Sequence, residues 1–117
     1  MTPEELKART KSFALRVILL IGGLPNDPAT RVISNQIVKS ATSVGANYRA
    51  ACRAQSRAAF AAKLAVVIEE ADETVYWLEL LAESGRVKLE PLAGLLKEGS
   101  ELVAIFTAAR KTTQKRQ

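Results

Sequence analysis

The chain has 117 residues, 48% of them apolar and 25% charged, with no histidine, one cysteine and a formal net charge of +5. This size holds one domain with one core, spanning residues 1–117, and the composition is that of an ordinary soluble globular protein. Lacking histidine, the chain lacks the commonest general base and the commonest metal ligand, and the lone Cys52 can form neither an intrachain disulfide nor a zinc site.

The N-terminus predicts a helix over residues 3–24. Thr2 is placed to cap it, Pro3 suits the first helical position and Glu5 completes a capping box. Leu6, Phe13, Val17, Leu20 and Leu24 share one face, and Leu15, Ile18, Leu19 and Ile21 fill most of the rest, so the second half of this helix is expected to be largely buried. The start of the chain, Thr, Pro and two glutamates, does not resemble a secretory signal. The longest apolar run, Val17 to Leu24, is far too short to span a bilayer. No membrane association and a cytoplasmic location are therefore expected.

Asp27 followed by Pro28 marks a second start, for a helix over residues 28–54. It turns Ile33, Ile37, Ala41, Val44, Tyr48 and Cys52 inward, and Cys52 reads as a small core residue. Ala41 and Gly45 are four apart, as are Ala46, Ala50 and Ala54, which lets a neighbouring helix approach closely. Gln36, Ser43 and Asn47 are expected to make structural hydrogen bonds within the helix packing.

Ser56 can cap a third helix over residues 56–84, and Gly85 is a suitable stop. This helix carries Phe60, Leu64, Val67, Ala71, Val75 and Leu78 on one stripe. Ala62, Val66, Trp77 and Leu80, interleaved with Glu69 and Glu73, form a second stripe on the opposite side. A surface helix of a small monomer needs one apolar stripe, so the second is expected to meet another subunit. A fourth helix over residues 90–111 carries Leu92, Leu95, Leu96, Leu102, Ile105, Phe106 and Ala109, followed by a frayed basic tail, 112–117. Long helices joined by short loops predict an all-α, antiparallel up-down-up-down four-helix bundle.

Charge is segregated along the chain. Residues 1–63 hold ten Lys/Arg against three Asp/Glu, residues 64–106 hold three against nine, and residues 107–117 hold four against none. Such polarity suits either self-assembly through opposite faces or polyanion binding. On the second helix, Arg31, Lys39, Arg49 and Arg53 fall within an arc of about 80° opposite the apolar stripe. Arg57 and Lys63 continue this ridge into the third helix. Arginine forks match phosphate oxygens, so these six residues are the candidate nucleic-acid contacts. With no aromatic residues interleaved, the ridge is not suited to base stacking. The acids Glu69, Glu70, Asp72, Glu73, Glu79 and Glu83 mostly project away from the core stripe. Two-metal bundle sites use a Glu-x-x-His motif, and with no histidine present a metal site is not expected. No phosphate loop, catalytic triad or nucleotide fingerprint is found. The expectation is a protein without catalytic residues or cofactor, and not an enzyme.

The run SVGANYRAACRAQSRAAFAAKLAVVIEEADETVYWLELL (43–81) resembles the four-helix-bundle family of bacterial 23S rRNA intervening-sequence proteins. FALRVI (13–18) and LPNDPATRVISNQIVKSAT (24–42) resemble the same family's first hairpin, so the similarity covers roughly residues 12–106. The TSVGANY and EEADETVYWLELL segments are its most specific parts. The resemblance implies a ring-shaped homopentamer with basic surface. Because intervening-sequence members are encoded within inserts in rRNA genes, it also suggests RNA binding. A related branch is the accessory protein of diversity-generating retroelements, which binds a reverse transcriptase and nucleic acid. Ala50, Gln55 and Ala59 depart from the family pattern, where Glu, Arg and Glu are usual. Their loss leaves Arg49, Arg53 and Arg57 less neutralised and removes any intersubunit ion pairs relying on those glutamates. Two functions follow: an oligomer whose basic faces bind RNA or DNA, or a scaffold that docks a protein partner such as a reverse transcriptase.

Overall fold

The structure, a computed structural model, describes residues 1–116. They form four helices, with no strand among the described residues: α1 (Pro3–Gly22), α2 (Pro28–Ala51), α3 (Arg57–Glu83) and α4 (Leu89–Lys115). These pack as a four-helix bundle 48 × 21 × 19 Å across. No helix among the described residues is long and apolar enough to cross a membrane.

Local chemistry sets three of the four starts. The Thr2 hydroxyl accepts from the Glu5 amide (3.1 Å) while the Glu5 carboxylate accepts from the Thr2 amide (3.2 Å), closing the capping box. The Asp27 carboxylate accepts from the Thr30 amide (3.0 Å) and hydroxyl (2.8 Å) ahead of Pro28. The Ser56 hydroxyl accepts from the Ala59 amide at 3.0 Å. These acceptors satisfy amides that a helix start leaves open. Gly85 follows α3 with a φ of 72°, a left-handed conformation glycine adopts without the penalty of a Cβ. Only α4 starts without a side-chain cap, at Lys88.

The ends differ from expectation. The first helix stops at Gly22 and the second at Ala51, so residues 52–56 break the chain between α2 and α3. The expected frayed tail is helical through Lys115. Thr112 and Thr113 hydroxyls bond back to Ala108 and Ala109, and the Arg57 guanidinium donates to the Arg116 carbonyl at 2.7 Å. No Gly or Pro interrupts this stretch, and Lys, Arg and Gln are good helix formers. Gln117, also assigned to that tail, lies outside the described residues.

Each helix packs on its neighbours in sequence, and α1 also touches α4, while the diagonal pairs α1/α3 and α2/α4 make no such contact. Phe13, Val17, Ile37, Val44, Leu64, Val67, Leu78, Leu92, Leu102 and Phe106 are fully buried between them. Tyr48 closes one end of this core, its ring 5.0 Å from that of Phe106, and burial pushes its phenol pKa up. The thinner α1/α4 seam is clamped by Arg9, whose guanidinium forks onto Glu98 (2.7 Å twice) and reaches Glu101 at 2.8 Å. These hydrogen bonds hold the guanidinium pKa above its ordinary value. A planar fork meeting two carboxylates fixes the register of the two helices as well as their contact.

Buried polar residues lie where the apolar pattern predicted none. Thr10, Thr30, Ser34, Ser40 and Thr74 are buried. The Thr74 hydroxyl donates to Ser40 at 2.8 Å, the cross-helix bond between α2 and α3. Of the residues expected to make structural hydrogen bonds, Ser43 donates to the Lys39 carbonyl and Asn47 to the Ser43 carbonyl, both within α2, and Gln36 takes part through its backbone carbonyl, which accepts from Ser40. At Gly45 the approach of α1 is close, since a Cβ there would lie 3.1 Å from the Thr10 hydroxyl.

Asp27 also holds Arg86, just past the end of α3, at 2.5 Å. The hydrogen bonds from Thr30, with Arg86 adding, keep its carboxyl pKa below the usual range. A lowered folded pKa means stability that is present above the unfolded value of about 3.9 and is lost as pH falls through the folded one. Wild type should therefore lose stability on acidification across that window. Asp27→Asn, which retains a capping side chain but cannot titrate, should lose less. Urea midpoints at neutral and acid pH check this.

Candidate nucleic-acid interface

The six sequence-derived contacts are spread along the bundle, from α2 through the break into α3. Arg31 lies in the first turn of α2 and Arg49 in its last, some 18 residues apart, which is about 27 Å at 1.5 Å per residue. Arg31 is exposed and donates to the Asn26 side chain at 3.4 Å. Lys39 is exposed midway and adjoins Glu70. Arg53 falls in the break after α2, exposed. Arg57 opens α3 and is drawn to the end of α4 by its bond to the Arg116 carbonyl. Lys63 is half-buried on α3.

What the fold brings together instead is one end of the bundle. A cleft of about 550 Å³ there is lined by the start of α1 (Pro3, Glu4, Lys7), the end of α2 (Tyr48, Ala51, Cys52), the start of α3 (Arg57, Phe60) and the end of α4 (Thr112, Thr113, Arg116). Arg49, in the last turn of α2, and Arg53, in the break beyond, are exposed at this end of the chain's second helix. Lys111 and Lys115 are exposed on the adjoining turns of α4. A second trough of about 560 Å³ runs between α1 and α2, floored by Ala8, Ala14, Gly45 and Ala46 and edged by Lys7, Lys11 and Arg49. Glu4 lines both cleft and trough and pairs with Lys7 at 3.2 Å, so these two charges offset each other. Glu5 caps α1, and the bonds from Thr2 hold its pKa below the usual range.

The fold thus gathers a cationic pole at this end, beside the cations spread along α2. The trough is floored by small residues between Lys11 and Arg49, and exposed guanidinium and ammonium groups are the side chains that neutralise phosphate. Lys7, Lys11, Lys111, Lys115 and Arg116 were not among the sequence-derived contacts. The charge counts in the first half and the tail held the signal, but only the return of α4 to the same end as the start of α1 joins them.

The candidate interface stripe of α3 divides. Ala62, Glu69 and Glu73 are exposed, whereas Val66, Trp77 and Leu80 are half-buried. Trp77 packs partly against the chain's own core and donates weakly to Glu73 at 3.4 Å. The second stripe is thus covered in part within the chain, because α3 lies between α2 and α4 and makes its contacts with both. The unexpected exposure is on α1. Leu15, Ile18 and Leu19 face outward and Ile21 is half-buried, against the expectation of a largely buried second half. With neighbours only at α2 and α4, the outer arc of α1 meets nothing. Of the acidic cluster, Glu70 is half-buried, and burial first, then Glu73, raises its pKa. Among the described residues no three His, Cys, Asp or Glu side chains converge as a metal site would require.

An all-helical bundle with a cationic end is the class these observations define. The family model of the 23S rRNA-intervening sequence proteins matches residues 4–108, and the chain belongs to that family. It is also similar to a solved structure: the 1.70 Å crystal structure of a protein with unknown function from the S23 ribosomal protein family of Bacteroides thetaiotaomicron VPI-5482. Identity is 37% and the TM-score 0.85, covering 95% of this chain and 99% of that one. No curated protein matches the chain.

Proposed function

We propose that this protein is a non-enzymatic, cytoplasmic, self-assembling up-down-up-down bundle whose cationic pole binds the phosphate backbone of structured RNA or other nucleic acid. The observation that carries it is the gathering of Lys7, Lys11, Arg49 and Arg57 with the end of α4 around one cleft and one trough, with Arg53 exposed in the adjoining break. The up-down sense is supported by contacts that join starts to ends: Asp27 with Arg86, Arg57 with Arg116, and Arg110 with the Ala61 carbonyl. The family's link to intervening sequences of 23S rRNA favours RNA over other polyanions. Self-assembly is supported by the outward apolar face of α1 and the partly open stripe of α3, and the family resemblance favours a pentameric ring.

Light scattering, read beside the ratio of absorbance at 260 and 280 nm, gives mass and bound nucleic acid together. A mass near five chains is expected. Affinity for a structured RNA should then fall about a hundredfold between 50 and 200 mM salt if four phosphates are neutralised, with little sequence preference. Binding that hardly changes with salt overturns the phosphate mechanism. A second reading, a scaffold that docks a protein such as a reverse transcriptase, draws on the same apolar α1 face. A pure oligomer that binds no RNA favours it.

A further inference from the structure

Three large apolar side chains stand exposed together on one face of α1: Leu15 (60%), Ile18 (50%) and Leu19 (81%). Single exposed apolar residues are ordinary, but a contiguous group marks a surface that something covers. Leu19 also forms the lip of a groove of about 680 Å³ between α1 and the start of α4, floored by Leu20, Leu24, Val87 and Leu95. Arg16 and Lys88 stand at its edge, and among the described residues neither pairs with a carboxylate. On the diagonal helix, Tyr76 is 52% exposed and held edge-on to Trp77 at 5.2 Å. Around it Glu69, Asp72, Glu73 and Glu79 are exposed.

We infer that the outer face of α1, with its adjoining groove, is the docking site for Tyr76 and the acidic outer face of α3 from a second copy of this chain. The inference rests on the self-assembly proposed above and says which surfaces mate. Charge decides the pairing. A two-fold contact of α1 on α1 sets Lys11 and Arg16 against their own copies, and α3 on α3 sets Glu69, Asp72 and Glu73 against theirs. Only α1 on α3 brings an apolar centre together with opposite signs at its edge, and like charges brought together disfavour the alternatives. Because α1 and α3 do not touch within the chain, their outer faces point to opposite sides of the bundle. The contact is therefore head-to-tail, and such contacts close into rings or run on as filaments.

Two blocked variants test this. Leu19→Glu puts a carboxylate opposite the acids of α3, and Tyr76→Arg puts a cation opposite Arg16 and Lys88. Both sites are exposed, so each variant should keep the wild-type circular dichroism spectrum. Each alone should be a monomer by light scattering where wild type is assembled. Mixed in equal amounts they should associate, because the mixture retains one intact α1 face and one intact α3 face and its two altered faces carry opposite charges. Monomers that stay apart on mixing overturn the pairing while leaving self-assembly intact, as does a variant that dimerises alone or keeps the wild-type mass. A wild type that is itself monomeric overturns self-assembly and the inference with it, and leaves the α1 face to a foreign protein.

Discussion

Replacing Gly99 by alanine should destabilise the bundle by about 1–3 kcal/mol, the usual cost of overpacking a tight core, even though alanine is worth about 1 kcal/mol more than glycine within a helix. Gly99 is buried where α4 crosses α1 and α3. A Cβ built there lies 2.8 Å from Cγ2 of Val75 and 3.5 Å from Cζ of Phe13. Neither neighbour yields easily. Valine on a helix is confined to essentially one rotamer, and Phe13 is fully buried at the centre of the core. Gly99→Val, with two further methyls, should unfold the protein or leave it with a greatly lowered urea midpoint. Val75→Ala removes the obstructing methyl, so the double variant Gly99→Ala/Val75→Ala should recover much of the loss of Gly99→Ala. That non-additive recovery identifies the contact. Gly94 is the control on the same helix. It is exposed, and a Cβ there would meet only the far end of the flexible Arg16 side chain, at 3.1 Å, so Gly94→Ala should be neutral or stabilising. Equal losses at the two positions would mean that packing at the crossing is not what Gly99 provides.

Local signals in this sequence are strong, and the helix starts written in Thr2, Asp27 and Ser56 appear at those residues. The stop at Gly85 does too. Apolar spacing identified the inner residues Phe13, Ile37, Val44, Leu64, Leu78, Leu92 and Phe106. Three kinds of feature were not legible. Residues such as Ser40 and Thr74 read as polar surface by type, yet a hydroxyl that bonds to its own helix and to a facing hydroxyl can be buried without an unmet partner. Gly99 gave no sign of its crossing, because its meaning depends on Val75 from another helix. Apolar density on α1 was read as burial, but density says how much apolar surface exists and not how many neighbours are available to cover it. The same limit applies to charge. Periodicity joins residues along one helix, such as Arg31, Lys39, Arg49 and Arg53, but it cannot show that the fold also joins residues at helix ends far apart in sequence.

That difference makes the second large effect a comparison of two pairs on one helix. If nucleic acid follows a ridge along α2, Arg31→Gln/Lys39→Gln and Arg49→Gln/Arg53→Gln should weaken RNA binding alike. If it binds the cationic pole, only the second pair should matter, because Arg49 edges the trough with Lys7 and Lys11 while Arg31 lies near the opposite end of α2. All four side chains are exposed, so neither pair of changes should alter thermal stability by more than a few tenths of a kcal/mol. Taking about 1 kcal/mol per exposed charged contact with phosphate, the pole variant should lose roughly thirtyfold in affinity at low salt. Its dependence on salt should also flatten, with the slope of log K against log salt falling by about 2. The loss should be similar for unrelated sequences, since phosphate contacts carry no base information. Gln keeps a polar, hydrogen-bonding side chain, shorter than Arg, while removing its charge, so a loss accompanied by the flatter slope is electrostatic, and a loss without it points to packing. Fluorescence anisotropy with a labelled structured RNA, repeated across salt concentrations, reads both quantities. Equal losses from the two pairs would return the interface to the length of α2, and no loss from either would remove the cationic pole from RNA binding.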